Sequence, residues 1–245
     1  MKGLIWLGLA AITVWMAVLV IPDDNLHVVF CDVGQGDAIL ILKGTRQILI
    51  DTGPGKRILD CLSEKMPFYD KNLEVMVISH DQSDHAGGMK YVIESYNVTH
   101  IERMLRQGDE ISLGELKVKV LSPENRVLGT STESDKNELA IVSLVSWREF
   151  DALLTADAST KNYPAMEGVE VVKVPHHGSK TDLEPGWWQA VKPALAVVSV
   201  GKDNRFGHPT AEALQAIEAS GARILRTDLM GTIEVVSDGV KWWVK

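Results

Sequence analysis

The sequence has few cysteines, no excess of positive charge and no internal repeat or low-complexity tract. Its two cysteines, Cys31 and Cys61, lack a CxxC spacing, so we interpret them as small core residues rather than as a disulfide or metal ligands. Acidic residues outnumber basic ones by 33 to 25, which gives a net charge of −8. No global basic field attracts nucleic acid, and any contact with DNA must be local.

The first 22 residues differ in character from the rest of the chain. Residues 3–22, GLIWLGLAAITVWMAVLVIP, carry no charge over 20 residues, and a helix of that length crosses a hydrocarbon core of roughly 30 Å. The large residues at its end argue against signal-peptide cleavage. Lys2 precedes the segment and Asp23 and Asp24 follow it, which favours a cytoplasmic amino terminus. We predict a single-pass anchor in the cell membrane (residues 1–22), followed by one extracytoplasmic domain (residues 23–245).

The patterning after residue 22 predicts two strand-rich blocks that each carry helices. The strand-like runs are LHVVFCDV, AILILK, QILIDTG and LEVMVIS, then ELKVKVLSP, ELAIVSLVSW and FDALLTAD. Helical spacing is typical of KRILDCLSEKM, HAGGMKYVIESY and TAEALQAIEAS. Each sheet must bury one face on the other sheet and its second face under helices. The sequence therefore predicts an α/β fold, a four-layer αββα sandwich.

Ligand-type side chains follow apolar, strand-like runs at several places. The stretch VMVISHDQSDHAGG passes from a buried strand into two histidines and several acids or amides. Five of the seven histidines lie in such loops, which scattered surface histidines have no reason to do. Imidazole and carboxylate together suit zinc, manganese or iron, and the scarcity of thiolates argues against a structural zinc finger. The simpler explanation of VMVISHDQSDHAGG alone is a solvated loop.

These segments resemble the metallo-β-lactamase superfamily, whose HxHxDH signature is represented here by HDQSDH. More narrowly, the chain resembles the hydrolase domain of ComEC-type competence proteins over about residues 26–240. The segments that carry this resemblance are, in order, FCDVGQGDAILI, ISHDQSDHAGG, KNELAIVSLV, LLTADAS, VPHHGSKT, VVSVGKDNRFGHP and RTDLMGTIEV. The resemblance implies a metal-dependent phosphodiesterase, with a DNA nuclease that acts in DNA uptake as the narrower hypothesis. Its partners would then be DNA and components of an uptake channel.

The resemblance also implies a site for one or two divalent ions, with zinc or manganese expected and magnesium a third option. The ligands it assigns in this chain are His80, Asp84, His85, Asp157 and His177. His80 would serve one ion, Asp84, His85 and His177 the other, and Asp157 would lie between them. Gln82 replaces a histidine of the wider superfamily, and Asn137 stands where another is expected. We therefore expect the first ion to be held more weakly.

Further roles follow from the same resemblance. Asp84 would hold the metal and the nucleophile, while His176 or His208 would contact the phosphate or protonate the leaving oxygen. Asp51 would orient a histidine or a water, unless it is only a turn residue. The remaining candidates are Asp32, Asp37 and Asn137 at the floor of the site, and Lys180 and Arg205 toward the substrate. A glycine-rich turn is the simpler explanation of Asp32 and Asp37, and solvated surface charge is the simpler explanation of Lys180 and Arg205.

Two other functions remain open on the sequence alone. The fold does not fix the substrate, so a lactone, a thioester or a small phosphoester is an alternative, which the acidic balance favours. The second alternative is a catalytically weak accessory subunit of DNA uptake, because Gln82 and Asn137 replace histidines expected at the first metal site. Trp187 and Trp188 in EPGWWQAV could stack on bases, although core packing is the simpler explanation.

Overall fold

Two mixed β-sheets of seven strands each form the centre of the molecule. The computed structural model describes Trp6 and residues 22–125 and 137–245. The first sheet has the order β14 (Trp242–Val244), β13 (Ile233–Ser237), β1 (Leu26–Phe30), β2 (Ile39–Lys43), β3 (Arg46–Ile50), β4 (Asn72–Val77) and β5 (Asn97–Glu102). The second has the order β12 (Arg223–Arg226), β11 (Leu195–Val198), β10 (Val171–Lys173), β9 (Phe150–Leu154), β8 (Val142–Trp147), β7 (Leu116–Ser122) and β6 (Glu110–Leu113).

Helices cover the outer face of each sheet. The described residues form the α-helices α1 (Ile58–Lys65), α2 (Ser83–Ala86), α3 (Met89–Ser95), α4 (Pro185–Val191), α5 (Ala211–Ala219) and α6 (Thr227–Met230). Residues of α1 and α3 pack on the first sheet, and residues of α4 and α5 pack on the second. A third apolar cluster lies between the two sheets and draws on β1, β2, β3, β7 and β8. This is the predicted αββα order of layers.

Strand direction explains why ligand loops meet at one edge of the sandwich. In the first sheet β3, β4 and β5 run parallel, and in the second sheet β9, β10, β11 and β12 run parallel. Parallel strands need a crossover between them, so their carboxyl ends, and the loops that follow, lie at the same edge. The loops after β3, β4, β9 and β10 carry Asp51, His80, Asp157 and His177, respectively.

The predicted anchor, residues 3–22, lies almost entirely outside the described residues. Among Trp6, 22–125 and 137–245, no helix is long and apolar enough to cross a membrane. Asp238–Gly239 lies in the hairpin turn that joins β13 to β14, where the Asp238 N–H donates to the Lys241 carbonyl at 3.0 Å.

The prediction that both cysteines are free core residues is wrong. Cys31, just after β1, and Cys61, in α1, form a disulfide with their Cα atoms 5.8 Å apart. Both are buried, as predicted, with 1% and 4% of their surface exposed. Sequence spacing did not reveal the pair, because the two residues are 30 positions apart and meet only when α1 packs on the first sheet.

Candidate metal centre

Four predicted ligands lie close together at the edge of the sandwich where the loops of the two sheets meet. Asp84 and His85 lie in α2, and Asp157 and His177 lie in the loops after β9 and β10. Each offers one ligand atom, and these four atoms lie within 4.8 Å of one another. His85, Asp157 and His177 are buried, whereas Asp84 is half-buried at the mouth of the site. The two sheets thus contribute two ligands each.

Asp51 and Ser79 orient the histidines that follow β4. Asp51 Oδ2 accepts the Ser79 hydroxyl at 2.6 Å and lies 2.7 Å from His85 Nδ1. The Ser79 oxygen is also 2.9 Å from His80 Nδ1. Because the Nδ1–H of His85 donates to a carboxylate, its Nε2 atom faces Asp157, with 3.2 Å between Nε2 and Oδ1. Asp51 therefore fixes the ring that would ligate the metal.

His177 is fixed in the same way from the second sheet. Its Nδ1–H donates to the Ser199 carbonyl at 2.8 Å, which leaves Nε2 as the ligand atom. That Nε2 atom lies 3.5 Å from Asp84 Oδ2 and 3.6 Å from Asp157 Oδ1. Both imidazoles thus turn their Nε2 atoms toward the same carboxylates.

The buried ligand atoms of this cluster have no hydrogen-bond partner within the described residues. They are His85 Nε2, His177 Nε2 and both carboxylate oxygens of Asp157; His80 Nε2 also lacks a partner, but His80 is not one of the four clustered residues. Buried polar atoms are almost always satisfied, and each orphan costs free energy. Imidazole nitrogen and carboxylate oxygen are zinc and manganese ligands. The residues present therefore fit a divalent metal ion.

At two of these residues the neighbouring charges shift the pKa in the direction opposite to the effect of burial. Burial would lower the pKa of His85, but Asp157 and Asp51 raise it well above its ordinary value. Burial would raise the pKa of Asp157, but His85 and His177 hold it well below its ordinary value. His80 differs, because burial and the nearby His85 lower its pKa to about 4. Asp157 is thus held as a carboxylate and His80 as a neutral imidazole.

His176 and His208 stand beside this cluster on the wall of the cavity. His176 Nδ1 lies 2.7 Å from Asp182 Oδ2, and its Nε2 lies 3.7 Å from Asp157 Oδ2. Burial would lower the pKa of His176, but the hydrogen bond to Asp182 raises it. The ring of His208 is 5.9 Å from that of His176, and burial and His176 lower the pKa of His208. Asp182 was not predicted, because its position in a polar loop gives no signal of its contact with His176.

The backbone of the site is strained at the strand ends. Four residues other than glycine adopt positive φ there: Asp51 (59°), Ala156 (46°), His176 (45°) and His177 (53°). Such conformations cost of order 1–3 kcal/mol each and cluster at functional sites. Two of these residues are predicted to act on metal or substrate, and Ala156 directly precedes a third, Asp157.

The glycine-rich loop before β2 touches the same site. Asp37 N–H donates to the Asp84 carbonyl at 3.1 Å. A Cβ on Gly36, whose φ is +143°, would collide with that carbonyl group. Glycine is therefore required for the loop to approach α2. Asp37, predicted at the floor of the site, is buried 3.5 Å from His177 Nδ1 and pairs with Lys173 in β10, a buried lysine that was not predicted from the sequence.

The other predicted residues take different positions. Asp32 pairs with Arg57 at 3.0 Å instead of reaching the floor. Asn137 lines the cavity and accepts a hydrogen bond from Gln82 at 2.7 Å. Arg205 also lines the cavity, whereas Lys180 does not and lies 3.6 Å from Glu212. Trp187 and Trp188 are buried under the second sheet, as core packing predicts.

The cavity over the cluster is large and polar. It has a volume of about 1050 Å³ and exposes Asp84, His176, His177 and His208. Lys161 and Arg205 are its cationic residues among the described ones, and Phe206 is an exposed aromatic on the wall. A cavity of this size and lining has room for an extended polar ligand.

Comparisons with known proteins agree with this geometry. The model of the metallo-beta-lactamase superfamily matches residues 31–134. ComE operon protein 3 of Bacillus subtilis is 27% identical over 83% of this chain and 32% of its own length. Recombination protein 2 of Haemophilus influenzae is 30% identical over 83% of this chain and 28% of its own length. The chain thus spans about a third of the length of these curated relatives.

A solved structure gives the same fold. The metallo-beta-lactamase fold protein YhfI from Bacillus subtilis aligns with 90% of this chain and 100% of its own, with a TM-score of 0.59. Its sequence identity is 10%, so this likeness concerns the fold alone.

Proposed function

The chain belongs to the metallo-β-lactamase superfamily of metal-dependent hydrolases, and from this we propose that it is a phosphodiesterase that cleaves DNA. The observation that carries the proposal is the cluster of Asp84, His85, Asp157 and His177 with its unpartnered buried atoms. A divalent ion held there supplies Lewis-acid activation of water and stabilises charge that develops on phosphate oxygens. Asp84, at the mouth, is the ligand nearest to solvent.

Other residues of the cavity would bind the phosphate backbone and transfer a proton. Arg205 and Lys161 on the cavity wall would receive the phosphate backbone. His176, held by Asp182, places its Nε2 atom next to Asp157 and toward the cavity. In that position it would contact a phosphate oxygen or give a proton to the leaving oxygen. His208, beside it, is the second candidate for this role.

A role in DNA uptake is supported by the relatives. Their names include ComE operon protein 3, recombination protein 2 and, in Neisseria gonorrhoeae, competence protein ComA. We propose that this chain acts on DNA in the same kind of process, with channel components as partners. Because the net charge is −8, DNA should be captured weakly and through the local cations only.

An anchored, extracytoplasmic position is part of the proposal. The uncharged residues 3–22 support the anchor. The Cys31–Cys61 disulfide supports an oxidising compartment, since disulfides are rare in reducing cytosol. Protease added to intact spheroplasts should digest the domain. Full protection that ends on lysis would place the domain in the cytoplasm.

The chemistry is tested on the full chain purified in detergent. Linear DNA, a small phosphodiester, a lactone and a thioester are offered with manganese, magnesium or zinc at low salt. We expect manganese-dependent DNA cleavage that falls steeply with salt. His177→Ala should abolish it, whereas the control His100→Ala, an exposed histidine on β5, should not. Hydrolysis of the lactone or thioester with both phosphodiesters intact would replace this proposal with the ester hydrolase.

A further inference from the structure

A fully buried lysine lies directly behind the proposed metal site. Lys173 is 0% exposed and ends β10. Its ammonium group donates to the Ala156 carbonyl at 2.7 Å, forms an ion pair with Asp37 and lies 3.8 Å from Asp157 Oδ1. A cation so close to a site for cations is unexpected, because like charges repel strongly in a buried environment.

Asp37 connects this lysine to two of the ligand histidines. Its Oδ1 atom lies 3.5 Å from His177 Nδ1, and its Oδ2 atom lies 3.9 Å from His85 Nδ1. The carboxylate is therefore behind the rings, on the side opposite the Nε2 atoms that face the ligand cluster. Its backbone is fixed on both sides, by Asp84 and by Gly53 N–H, which donates to the Asp37 carbonyl at 2.7 Å.

The site contains more negative charge than its ligands need. Besides Asp84 and Asp157, two further buried carboxylates, Asp37 and Asp51, lie against the histidines. Asp51 is satisfied by three hydrogen bonds from Ser79 and His85. Asp37 has no such set and relies on Lys173, because a buried charge without a partner is strongly unfavourable.

We propose that Lys173 is the fixed counter-ion of the metal centre: it neutralises Asp37, holds that carboxylate behind His85 and His177, and lowers the affinity of the site for divalent ions. This inference rests on the proposed metal site. Because Lys173 Nζ lies 3.8 Å from Asp157 Oδ1, its positive charge acts on the four-residue cluster itself and opposes an ion held there. Lys173 is a positioning residue, since it acts through Asp37 and does not itself touch substrate.

A counter-ion and a lysine that only supports the fold have opposite effects on metal binding when they are replaced. A lysine that only supports the fold should, when replaced, loosen the ligands and weaken metal binding. A counter-ion should do the opposite, because its removal leaves Asp37 as uncompensated negative charge beside the ligands. Lys173→Met keeps a side chain of similar length and removes the charge together with the hydrogen bond to the Ala156 carbonyl. The dissociation constant for manganese should fall by about tenfold.

The experiment uses the full chain in detergent, stripped of metal and then titrated with manganese alone. Bound manganese per chain is measured by equilibrium dialysis, and the melting temperature of the stripped protein is recorded. Lys173→Met should melt lower than wild type when stripped, bind manganese more tightly and regain stability as manganese is added. The double variant Asp37→Asn/Lys173→Met should return both quantities toward wild type. Lys65→Met breaks an ion pair with Glu234 outside the site and serves as the charge control.

Each outcome decides the question. Unchanged or weaker manganese binding by Lys173→Met overturns the proposal. If Lys173→Met does not fold, Asp37→Asn takes its place: it leaves the lysine charge unbalanced and should weaken manganese binding by about tenfold. Unchanged binding by that variant also overturns the proposal. The same dialysis of wild-type protein is repeated with magnesium and with zinc, and a wild type that binds none of the three ions would instead overturn the metal site on which the proposed function stands.

Discussion

Asp51 lies 2.7 Å from the Nδ1 atom of His85 and accepts both the backbone N–H and the hydroxyl of Ser79. It touches no substrate-facing surface, being 1% exposed. Its position nevertheless determines which nitrogen of His85 carries the proton and where the ring points. The carboxylate behind a ligand histidine is therefore as much a part of the site as the ligand.

Replacing Asp51 should weaken metal binding without removing a ligand. Asp51→Asn keeps the shape of the side chain but loses the charge that stabilises the Nδ1–H of His85. We expect manganese affinity to fall by about 10–100-fold in equilibrium dialysis. Asp60→Asn, on the exposed side of α1, should have no effect. Equal affinity in Asp51→Asn and wild type would reduce Asp51 to a turn residue.

A methyl group on Gly36 should disturb Asp84 from behind. Because a Cβ at Gly36 meets the Asp84 carbonyl, Gly36→Ala should displace α2 and weaken manganese binding by about tenfold. Gly44→Ala is the matched control, since Gly44 also has positive φ (+58°) but no atom within 4 Å of its Cβ position. A similar loss of metal affinity in both variants would attribute the effect to backbone strain rather than to Asp84.

The disulfide should contribute measurably to stability. A cross-link between residues 30 positions apart stabilises a domain by about 3–4 kcal/mol in the chain-entropy model. Cys31→Ala/Cys61→Ser should lose about that amount in urea unfolding. Added reductant should lower the stability of wild type to that of the double variant and leave the variant unchanged. A wild type that is indifferent to reductant would show that the bond does not form.

Glu234 should make stability depend on acid pH. Hydrogen bonds from His27 and Lys65 lower the pKa of Glu234 from 4.5 to about 2. A carboxylate with a lowered pKa stabilises the fold above its unfolded pKa, and the contribution disappears as the pH falls from about 4.5 to about 2. Glu234→Gln should therefore cost about 1–3 kcal/mol at pH 7 and converge with wild type near pH 2.

The control for this pH dependence is an exposed pair. Glu212 lies 3.6 Å from Lys180, with both side chains more than half exposed. Such pairs contribute little to stability. Glu212→Gln should follow the wild-type profile at every pH, and a constant offset between Glu234→Gln and wild type down to pH 2 would contradict the assignment to Glu234.

The sequence predicted the sheets and the clustered ligand loops because both depend on local pattern. Alternation and apolar runs mark β3, β4, β9 and β10, and a polar residue after a parallel strand reaches the sheet edge whatever the rest of the chain does. The positions of Asp51, Asp84 and His85 could be predicted in this way. Whether each predicted residue acts on metal or substrate stays a prediction.

Contacts between residues far apart in the chain could not be predicted from the sequence. Lys173 looks like an ordinary lysine at a strand end until Asp37, from the first sheet, is placed against it. Asp32 was expected at the floor, but it pairs with Arg57, which directly precedes α1. The Cys31–Cys61 bond likewise depends on how α1 lies on its sheet. Such contacts are decided by packing between elements, which no single stretch of sequence encodes.

The division of the proposed ligands between the two sheets has a consequence for the order of folding. Asp84 and His85 come from the first part of the chain, and Asp157 and His177 from the second. While only the first sheet has formed, the chain can offer an ion two of these four side chains. Tight binding requires that the second sheet has formed against the first. An ion at this site would therefore bind a nearly folded domain and stabilise it late, rather than nucleate its folding.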